Sequence, residues 1–296
     1  MKLHSEILIV GCGDIGQRVA ASEIARGRAV EAVVKTETSR TRLEARGIRT
    51  HVLDLDQSSG LERIEFKAET LFYFAPPAPK GVSDPRLAFF LDGLQKASRI
   101  IYISTSGVYG DSQGAWVHEE TPPSPGTDRA KRRLDAEHQL QCYAATRGCD
   151  LTILRVPGIY SPERLPIERI QRKTPVVLPE QAPYSNRIHA EDLSEICIIA
   201  ASMDRPSGIY NASDGHPTTM TDYFWHVADY LNLERPPAIP LQEAMRILGP
   251  NMASFLEESR RLSNLKLIEQ LGVVLRYPSL RDGLPIGDPR GAPALG

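Results

Sequence analysis

Three glycines near the start of the chain have the spacing of a diphosphate-binding turn. Four successive apolar residues at positions 7–10 precede a Gly-x-Gly-x-x-Gly turn, which leads directly into a helical pattern. Such an apolar run is typical of a strand buried on both faces. Gly11 permits the tight turn, Gly13 lets the backbone approach a pyrophosphate, and Gly16 lets the helix pack on the strand. The free N–H groups and positive dipole end of the helix attract phosphates, which predicts a dinucleotide site at Gly11, Gly13, Asp14, Ile15 and Gly16.

Basic residues follow at the position that selects between nicotinamide dinucleotides. About 20 residues after the glycine turn, an NAD-preferring site carries an acidic residue that binds the ribose 2′-hydroxyl. This chain has Lys35 there, followed by Arg40 and Arg42. Cations at this place favour a 2′-phosphate, so NADP(H) is predicted to bind more tightly than NAD(H). The alternative is that these side chains are solvated charges on a loop and a helix face.

Hydroxyl side chains at positions 104–106 follow the fifth predicted strand, the apolar run at 100–103. Hydroxyls at the carboxyl end of a parallel strand lie where open α/β sheets bind ligands, and they can donate to a substrate oxygen or to the nicotinamide carboxamide. Thr105 and Ser106 are therefore predicted to be catalytic. Serine and threonine also cap helices and fill turns, which is the competing interpretation.

Alternating strand and helix patterns position these residues. Strands are predicted at 29–34, 50–56, 71–74, 100–103, 151–156 and 208–211. Helices are predicted at 17–26, 42–45, 85–97, 128–145, 221–231 and 242–248, with a further one ending at Ala201. Leu134, His138 and Tyr143 are expected on the inner side of helix 128–145. The alternation predicts a Rossmann-type, doubly wound parallel α/β sheet with a small C-terminal substrate-binding lobe.

The domain boundaries follow from where this alternation loosens. A dinucleotide-binding domain is predicted at residues 1–158, completed by about 186–215. The lobe comprises 159–185 and 216–284, and residues 285–296 form a mobile tail rich in glycine and proline. At the strand ends, Asp54, followed by Leu55, could accept a hydrogen bond from the adenine amino group. The small residues Ala75, Pro76 and Pro77 would admit a cofactor.

Composition excludes several kinds of partner. The chain has 296 residues, 41% of them hydrophobic, and a formal net charge of -2, so it offers no overall basic character for nucleic acid or an anionic membrane. No apolar run approaches the length of a membrane helix, and a cytoplasmic location is expected. The four cysteines lack the spacing of a zinc site or a disulfide framework, and no metal site is predicted. A small-molecule substrate is expected, and the oligomeric state stays open.

Six ordered segments together resemble one protein family. They are Gly11-Cys12-Gly13-Asp14-Ile15-Gly16, Asp54-Leu55-Asp56, Ala75-Pro76-Pro77, residues 104–110, residues 154–160 and residues 187–193. The set is similar to the extended or atypical short-chain dehydrogenase/reductase superfamily, in the branch called the NAD-dependent epimerase/dehydratase family. The resemblance implies NAD(P) binding, a Rossmann sheet and a C-terminal substrate lobe. It also implies that Thr105 assists catalysis, that Arg187 binds substrate, and that the loop beside the nicotinamide is Val156, Pro157 and Gly158.

The chain departs from the family pattern at the catalytic tyrosine. The family's Tyr-x-x-x-Lys would fall near residues 126–133, where this chain has no tyrosine; Thr127 or Arg129 takes the position, depending on the anchor. The acidic pair of family dehydratases is also missing, because Ser106 and Gly107 follow Thr105, and this disfavours sugar dehydration. Tyr109, Tyr160 and His189 are the candidates for replacing the phenol.

Two functions are consistent with this pattern. The first is an NAD(P)-dependent oxidoreductase or epimerase-like enzyme, acting on an unidentified small polar substrate that could resemble a sugar nucleotide. The second is a non-catalytic NADP(H)-binding redox sensor or regulatory protein, which the missing tyrosine favours.

Overall fold

The computed structural model of the chain describes residues 2–56, 65–202 and 204–286. The predicted tail therefore lies outside the described residues from 287 onward. The strands are β1 (Lys2–Val10), β2 (Val30–Val34), β3 (Arg49–Val52), β4 (Glu65–Tyr73), β5 (Leu94–Thr105), β6 (Trp116–Val117), β7 (Asp150–Val156), β8 (Gly158–Tyr160), β9 (Val176–Val177), β10 (Tyr184–Ser185), β11 (Arg187–His189), β12 (Gly208–Asn211), β13 (Thr218–Thr219), β14 (Ala238–Ile239) and β15 (Arg261–Leu262). The α-helices are α1 (Asp14–Ala25), α2 (Glu37–Glu44), α3 (Pro85–Gly93), α4 (Asp128–Arg147), α5 (Ile167–Gln171), α6 (Ala190–Ala201), α7 (Met220–Tyr230), α8 (Leu241–Ile247), α9 (Pro250–Leu256), α10 (Leu265–Leu271) and α11 (Leu280–Gly283).

Seven strands form one parallel sheet in the order β12-β7-β5-β4-β1-β2-β3. The chain moves outward from β1 in one direction through β2 and β3, and then crosses back to β4 on the other side. The order therefore reverses between β1 and β4, and a crevice opens there at the carboxyl ends of the strands. The predicted doubly wound α/β fold is confirmed.

Successive residues of β1 point to opposite faces of the sheet, and helices cover both faces. Ile7 and Ile9 share a core with α1, α6 and α10. Leu8 and Val10 share a second core with α3 and α4. All four side chains are at most 1% exposed, which explains why the strand is an unbroken apolar run.

The lobe has an apolar core of its own. Tyr160, Ile170 and Val176 pack there against α7 and against Leu280 and Leu284. Helix α10 does not belong to this lobe, because Leu267 and Leu271 are buried in the core on one face of the main sheet. The predicted lobe segment 216–284 is thus too broad over α10.

The differences from the prediction include the bounds of α3 and α2 and the buried side of α4. Helix α3 ends at Gly93 instead of residue 97, and β5 begins at once with Leu94, which continues the apolar helical spacing but pairs with Phe66 of β4. Helix α2 begins at Glu37, where the Thr36 side chain caps it, rather than at residue 42. On α4 the buried residues are Ala130, Ala136, Glu137, Leu140 and Ala144, whereas His138 is exposed.

Candidate cofactor and substrate site

The glycine turn has the geometry that its spacing predicts. Gly11 has φ +86°, and a Cβ there would lie 2.4 Å from the backbone nitrogen of Ala75, at the end of β4. Gly16 faces Ile9 of β1, since a Cβ would lie 3.2 Å from its Cγ2 atom. A Cβ on Gly13 would meet nothing within 4 Å, so the space above this residue is open.

The first turn of α1 can receive a diphosphate. Gly13 is the N-cap residue and supplies no side-chain hydrogen bond, so the first N–H groups of the helix have no side-chain cap. Asp14 lies in this turn, but Arg18 and Arg164 contact its carboxylate at 3.0 and 2.8 Å. Burial raises the pKa of Asp14, and the hydrogen bonds from the two arginines outweigh it and lower the pKa. The charge of Asp14 is therefore compensated beside the open helix end.

A groove of 520 Å³ lies over this helix end and contains basic side chains. Its lining residues are Gly13, Asp14, Gln17, Arg18, Ala21, Arg42 and Arg46. Open backbone at Gly13, an uncapped helix N-terminus and guanidinium groups are the donors that phosphates require. The residues present fit the phosphates of a dinucleotide.

Lys35 and Arg40, which the sequence predicts at the 2′-phosphate, lie in ion pairs in the structure. Lys35 Nζ lies 2.8 Å from Asp56 Oδ2 and 3.3 Å from Asp54 Oδ1, so carboxylates already surround it. Hydrogen bonds from Arg86 and Lys35 hold the pKa of Asp56 well below its usual range. Arg40 pairs with Glu37 at 2.9 Å and approaches Glu44 at 3.8 Å, both on its own helix. These two cations are thus in local ion pairs, whereas Arg42 lines the groove.

A larger cavity of 720 Å³ lies between the carboxyl ends of the sheet strands and the lobe. It brings together most of the residues predicted for the nicotinamide and substrate ends: Pro76, Pro77, Thr105, Ser106, Val156, Pro157, Gly158 and Arg187. Two predicted residues lie elsewhere. The backbone of Ala75 packs against Gly11, and Leu55 packs against the core shared with α3 and α4.

Thr105 caps a turn and also faces the cavity. Its Oγ1 accepts a hydrogen bond from the backbone N–H of Gly107 at 3.2 Å and so caps the 3-10 turn Ser106–Tyr109. The side chain is half-buried and lines the cavity. Because the oxygen serves as an acceptor in the turn, the hydroxyl proton is available to a ligand.

The predicted replacements for the phenol do not line the cavity. The Tyr109 hydroxyl donates to Asn211 Oδ1 at 2.8 Å, and burial raises the pKa of Tyr109 to about 12. The Tyr160 hydroxyl donates to the carbonyl of Ser279 at 3.1 Å, and burial raises its pKa far above the usual range. His189 caps α6, with Nδ1 accepting from the Glu191 N–H at 3.2 Å, and burial lowers its pKa. All three side chains have structural partners.

The sequence interpretation missed most of the arginines of the cavity. Six line it together with a single described carboxylate, Glu258, and only Arg187 was predicted; the other five are Arg129, Arg132, Arg133, Arg169 and Arg260. Glu258 Oε2 lies 2.8 Å from Arg260 Nη1, while Oε1 is buried without a hydrogen-bond partner among the described residues. Arg129 carried the available signal, since it is one of the two residues, with Thr127, that the family pattern places at the tyrosine position. Glu258 and Arg260 lie more than a hundred residues further along the chain, beyond the reach of any spacing argument.

A buried ion pair supports the floor of the cavity. Arg155 of β7 contacts Glu137 of α4 at 2.8 Å, and both side chains are at most 3% exposed. The hydroxyl of Ser104 donates to the same carboxylate at 2.5 Å. This network joins β5, β7 and α4 directly beneath Thr105.

Comparison with known proteins places the chain among epimerase-like folds. Residues 88–213 match the model of the NAD dependent epimerase/dehydratase family. The predicted family resemblance is confirmed. Protein YeeZ of Escherichia coli (strain K12) is 29% identical over 290 residues, covering 92% of this chain and 96% of that protein.

Solved structures are similar over nearly the whole chain. A functionally unknown conserved protein from Silicibacter pomeroyi DSS has a TM-score of 0.79 and 28% identity, with 94% of this chain and 96% of that chain covered. The Thermus thermophilus UDP-glucose 4-epimerase in complex with NAD has a TM-score of 0.73 and 22% identity, with 97% of both chains covered. The second likeness establishes the shared fold. Among the described residues, no helix has the length and apolar character required to span a membrane.

Proposed function

We propose that this chain is a nicotinamide-dinucleotide-dependent oxidoreductase or epimerase-like enzyme that acts on a small polar substrate. The observation that carries the proposal is that the open N-terminus of α1 and the cavity containing Thr105 lie at the same carboxyl edge of one parallel sheet. This edge, at the reversal of strand order, is where doubly wound sheets bind dinucleotides. The NAD bound by the Thermus thermophilus epimerase supports the choice of cofactor class.

The residues divide into those that hold the cofactor and those that face the substrate. Gly11, Gly13 and the first turn of α1 hold the diphosphate, and the loop at Val156, Pro157 and Gly158 lies beside the nicotinamide. A bound nicotinamide cofactor supplies the acceptor or donor of a hydride. The Thr105 hydroxyl donates to the substrate oxygen, and Arg187 binds a polar group of the substrate.

Proton transfer requires a group other than the neighbouring arginines. Arginine does not lose its proton in proteins, so Arg129 cannot act as the phenol does in the family. Glu258 is the one carboxylate among the described residues that line the cavity, and its Oε1 atom makes no hydrogen bond to a described residue. We assign Glu258, directly or through a water molecule, as the group that exchanges the proton.

We also propose that NADP(H) is preferred, with a changed assignment of the selecting residues. Arg42 and Arg46 line the groove beside Gly13, and Arg46 Nη1 contacts only the side chain of Gln17, at 2.8 Å, among the described residues. Lys35 is already in ion pairs with Asp54 and Asp56. We therefore assign binding of the 2′-phosphate to Arg42 and Arg46 rather than to Lys35 and Arg40.

Calorimetry with NADP(H) and NAD(H) tests both the cofactor class and this assignment. A charge-assisted hydrogen bond contributes about 1.5 to 3 kcal/mol, which corresponds to a roughly ten- to hundredfold preference for NADP(H). Arg42→Gln should remove most of this preference, whereas Lys35→Gln, the matched control, should change it less than about threefold. Equal affinities in the wild type, or a larger loss in Lys35→Gln, would reject the assignment.

A second candidate function is a non-catalytic NADP(H)-binding sensor, which the absence of a tyrosine from residues 126–133 favours. A turnover screen with NADPH against sugar nucleotides, aldehydes and ketones separates the two functions. Consumption of NADPH with any of these classes, or conversion of a sugar nucleotide to its epimer in the presence of NADP with no net change in the cofactor, supports the enzyme. Tight NADPH binding with no substrate consumed supports the sensor.

A further inference from the structure

The cavity wall formed by α4 carries three arginines that make no ion pair within the part of the chain that the structure describes. Arg132 and Arg133 lie three and four positions after Arg129, so both are neighbours of Arg129 on the helix surface, and all three line the cavity. The ion pairs that α4 makes among the described residues join Lys131 to Asp128 and Glu137 to Arg155. None involves these three arginines, although the whole chain has a net charge of -2.

Arg132 and Arg133 contact neutral oxygen atoms instead. Arg132 Nη1 donates to the carbonyl of Gly81 at 2.6 Å, and its Nε is buried without a hydrogen-bond partner among the described residues. Arg133 Nη1 donates to the carbonyl of Ile103 at 3.0 Å and to the Tyr102 hydroxyl at 3.2 Å. A guanidinium has five N–H donors, so these contacts leave donors available to a ligand.

Arg129 is held in a fixed orientation at the same wall. Its guanidinium stacks on the ring of Phe255, 3.9 Å from the centroid, and its Nη1 donates to Ser254 Oγ at 3.0 Å. Burial lowers the pKa of Arg129; Glu258 opposes this effect, and Arg260 adds to it. A stacked guanidinium with unused donors is a preformed receptor for a planar or tetrahedral oxyanion.

The first turn of α4 packs directly on the turn that follows Thr105. A Cβ built on Gly107 would lie 3.5 Å from the Cβ of Ala130 and 3.4 Å from Thr105 Oγ1. Arg129 precedes Ala130 in the helix, so the arginine wall adjoins the hydroxyl assigned to the substrate oxygen.

We propose that the substrate carries an oxyanion group, a carboxylate or a phosphate, at its reacting end beside Thr105, and that Arg129 and Arg133 bind it. This inference rests on the proposed function and narrows its substrate class. A substrate that is neutral at this end would leave the charges of Arg129 and Arg133 without an anionic partner in the cavity.

The test is a calorimetric titration of the full chain, saturated with NADP(H), with sodium malonate and with inorganic phosphate. Malonamide is the neutral control for malonate. The variants are Arg129→Gln, Arg133→Gln and Arg147→Gln, the last being an exposed arginine in the final turn of the same helix. We expect saturable anion binding that is about ten- to a hundredfold weaker in the first two variants and within about twofold of wild type in Arg147→Gln.

Preference for malonate would identify a carboxylate, and preference for phosphate a phosphate; either supports the proposal. Affinity unchanged in Arg129→Gln and Arg133→Gln, or no saturable anion binding, overturns it. Arg129→Lys keeps the charge and should retain anion affinity within about tenfold. This variant provides the test if Arg129→Gln does not fold. The same titration without dinucleotide separates the two proposals. If the chain binds no dinucleotide but still binds the anion in a way that depends on Arg129, the proposed enzyme is refuted and the proposed anion site is retained.

Discussion

Thr105 both caps a turn and faces the cavity, so a substitution there can change the structure of the turn as well as the contact with a ligand. Its oxygen caps the turn through Gly107 N–H, and its side chain faces the cavity. An unperturbed alcohol is a poor acid near pH 7, so in the proposed enzyme we expect the hydroxyl to stabilise charge on the substrate oxygen by a hydrogen bond rather than to supply the proton itself.

Thr105→Val should lower turnover about ten- to a thousandfold and leave NADP(H) affinity within severalfold, because the lost interaction acts mainly in the transition state. Thr105→Ser retains the hydroxyl and the cap and is the matched control, expected to keep most activity. Steady-state kinetics with a substrate from the screen, beside calorimetry with NADP(H), provides the measurement. Unchanged turnover in Thr105→Val would remove this residue from the mechanism.

Individual residues also show where sequence reasoning stops. The sequence identifies Lys35 as a cation after β2, but its partners Asp54 and Asp56 lie on the segment after the neighbouring strand β3. Pairing across a sheet depends on register, which residue types alone do not reveal. Gly11 and Gly16 are predictable from the sequence, because a tight turn and the close packing of a helix on a strand are local requirements of the backbone.

Among the helices and strands, local signals predict existence better than boundaries. The apolar spacing of residues 87–94 is helical, yet Leu94 belongs to β5. Strand β4 begins as early as Glu65, and Leu94 pairs with Phe66 near that end of the sheet. The prediction for the inner side of α4 is also wrong at His138, since Glu137 takes the buried position through its ion pair with Arg155. A charged residue can thus face the core when a partner compensates it.

The turn between β1 and α1 gives a paired test of the glycine roles. Gly13→Val should abolish dinucleotide binding, because the side chain would occupy the open space at the helix N-terminus, and should cost no more than about 1 kcal/mol of stability. Gly11→Ala should lower stability by about 2 to 4 kcal/mol, since a Cβ there strains a positive φ and meets the backbone of Ala75.

Urea unfolding and calorimetry on both variants provide the measurement. Dinucleotide binding retained in Gly13→Val would mean that the diphosphate lies elsewhere. A Gly11→Ala variant as stable as wild type would contradict the close approach of Gly11 to the backbone of Ala75.

Across the complete fold, charge is distributed unevenly. A chain with more acidic than basic residues gathers six arginines around one cavity, from segments as far apart as α4 and the loop before β15. Net charge argues against nucleic acid as a partner but carries no information about this concentration. The cavity exists only because the sheet and the lobe meet, so its electrostatics could not be predicted from local patterns.

Asp214 connects the sheet and the lobe at the return of the chain after β12. Its backbone N–H donates to the carbonyl of Arg187 at 2.9 Å, and its side chain is only 3% exposed. Burial raises its pKa to about 7, opposed by the His216 N–H and by the charges of His216 and Arg187. The folded chain therefore favours protonated Asp214 at a pH where the unfolded chain has lost that proton.

The consequence is a loss of stability with rising pH that can be assigned to one group. Because the pKa in the folded state lies above that in the unfolded state, the contribution is fully present below about pH 4, declines as the pH rises and is lost above about pH 7. Between about pH 5 and pH 7, wild type should lose about 2 to 3 kcal/mol of unfolding free energy relative to Asp214→Asn, which cannot ionise. Urea unfolding of both proteins at about pH 5, 6, 7 and 8 measures this difference, and the other titrating groups cancel between them. A difference that stays constant with pH would show that Asp214 ionises normally and that burial at this junction does not govern its charge.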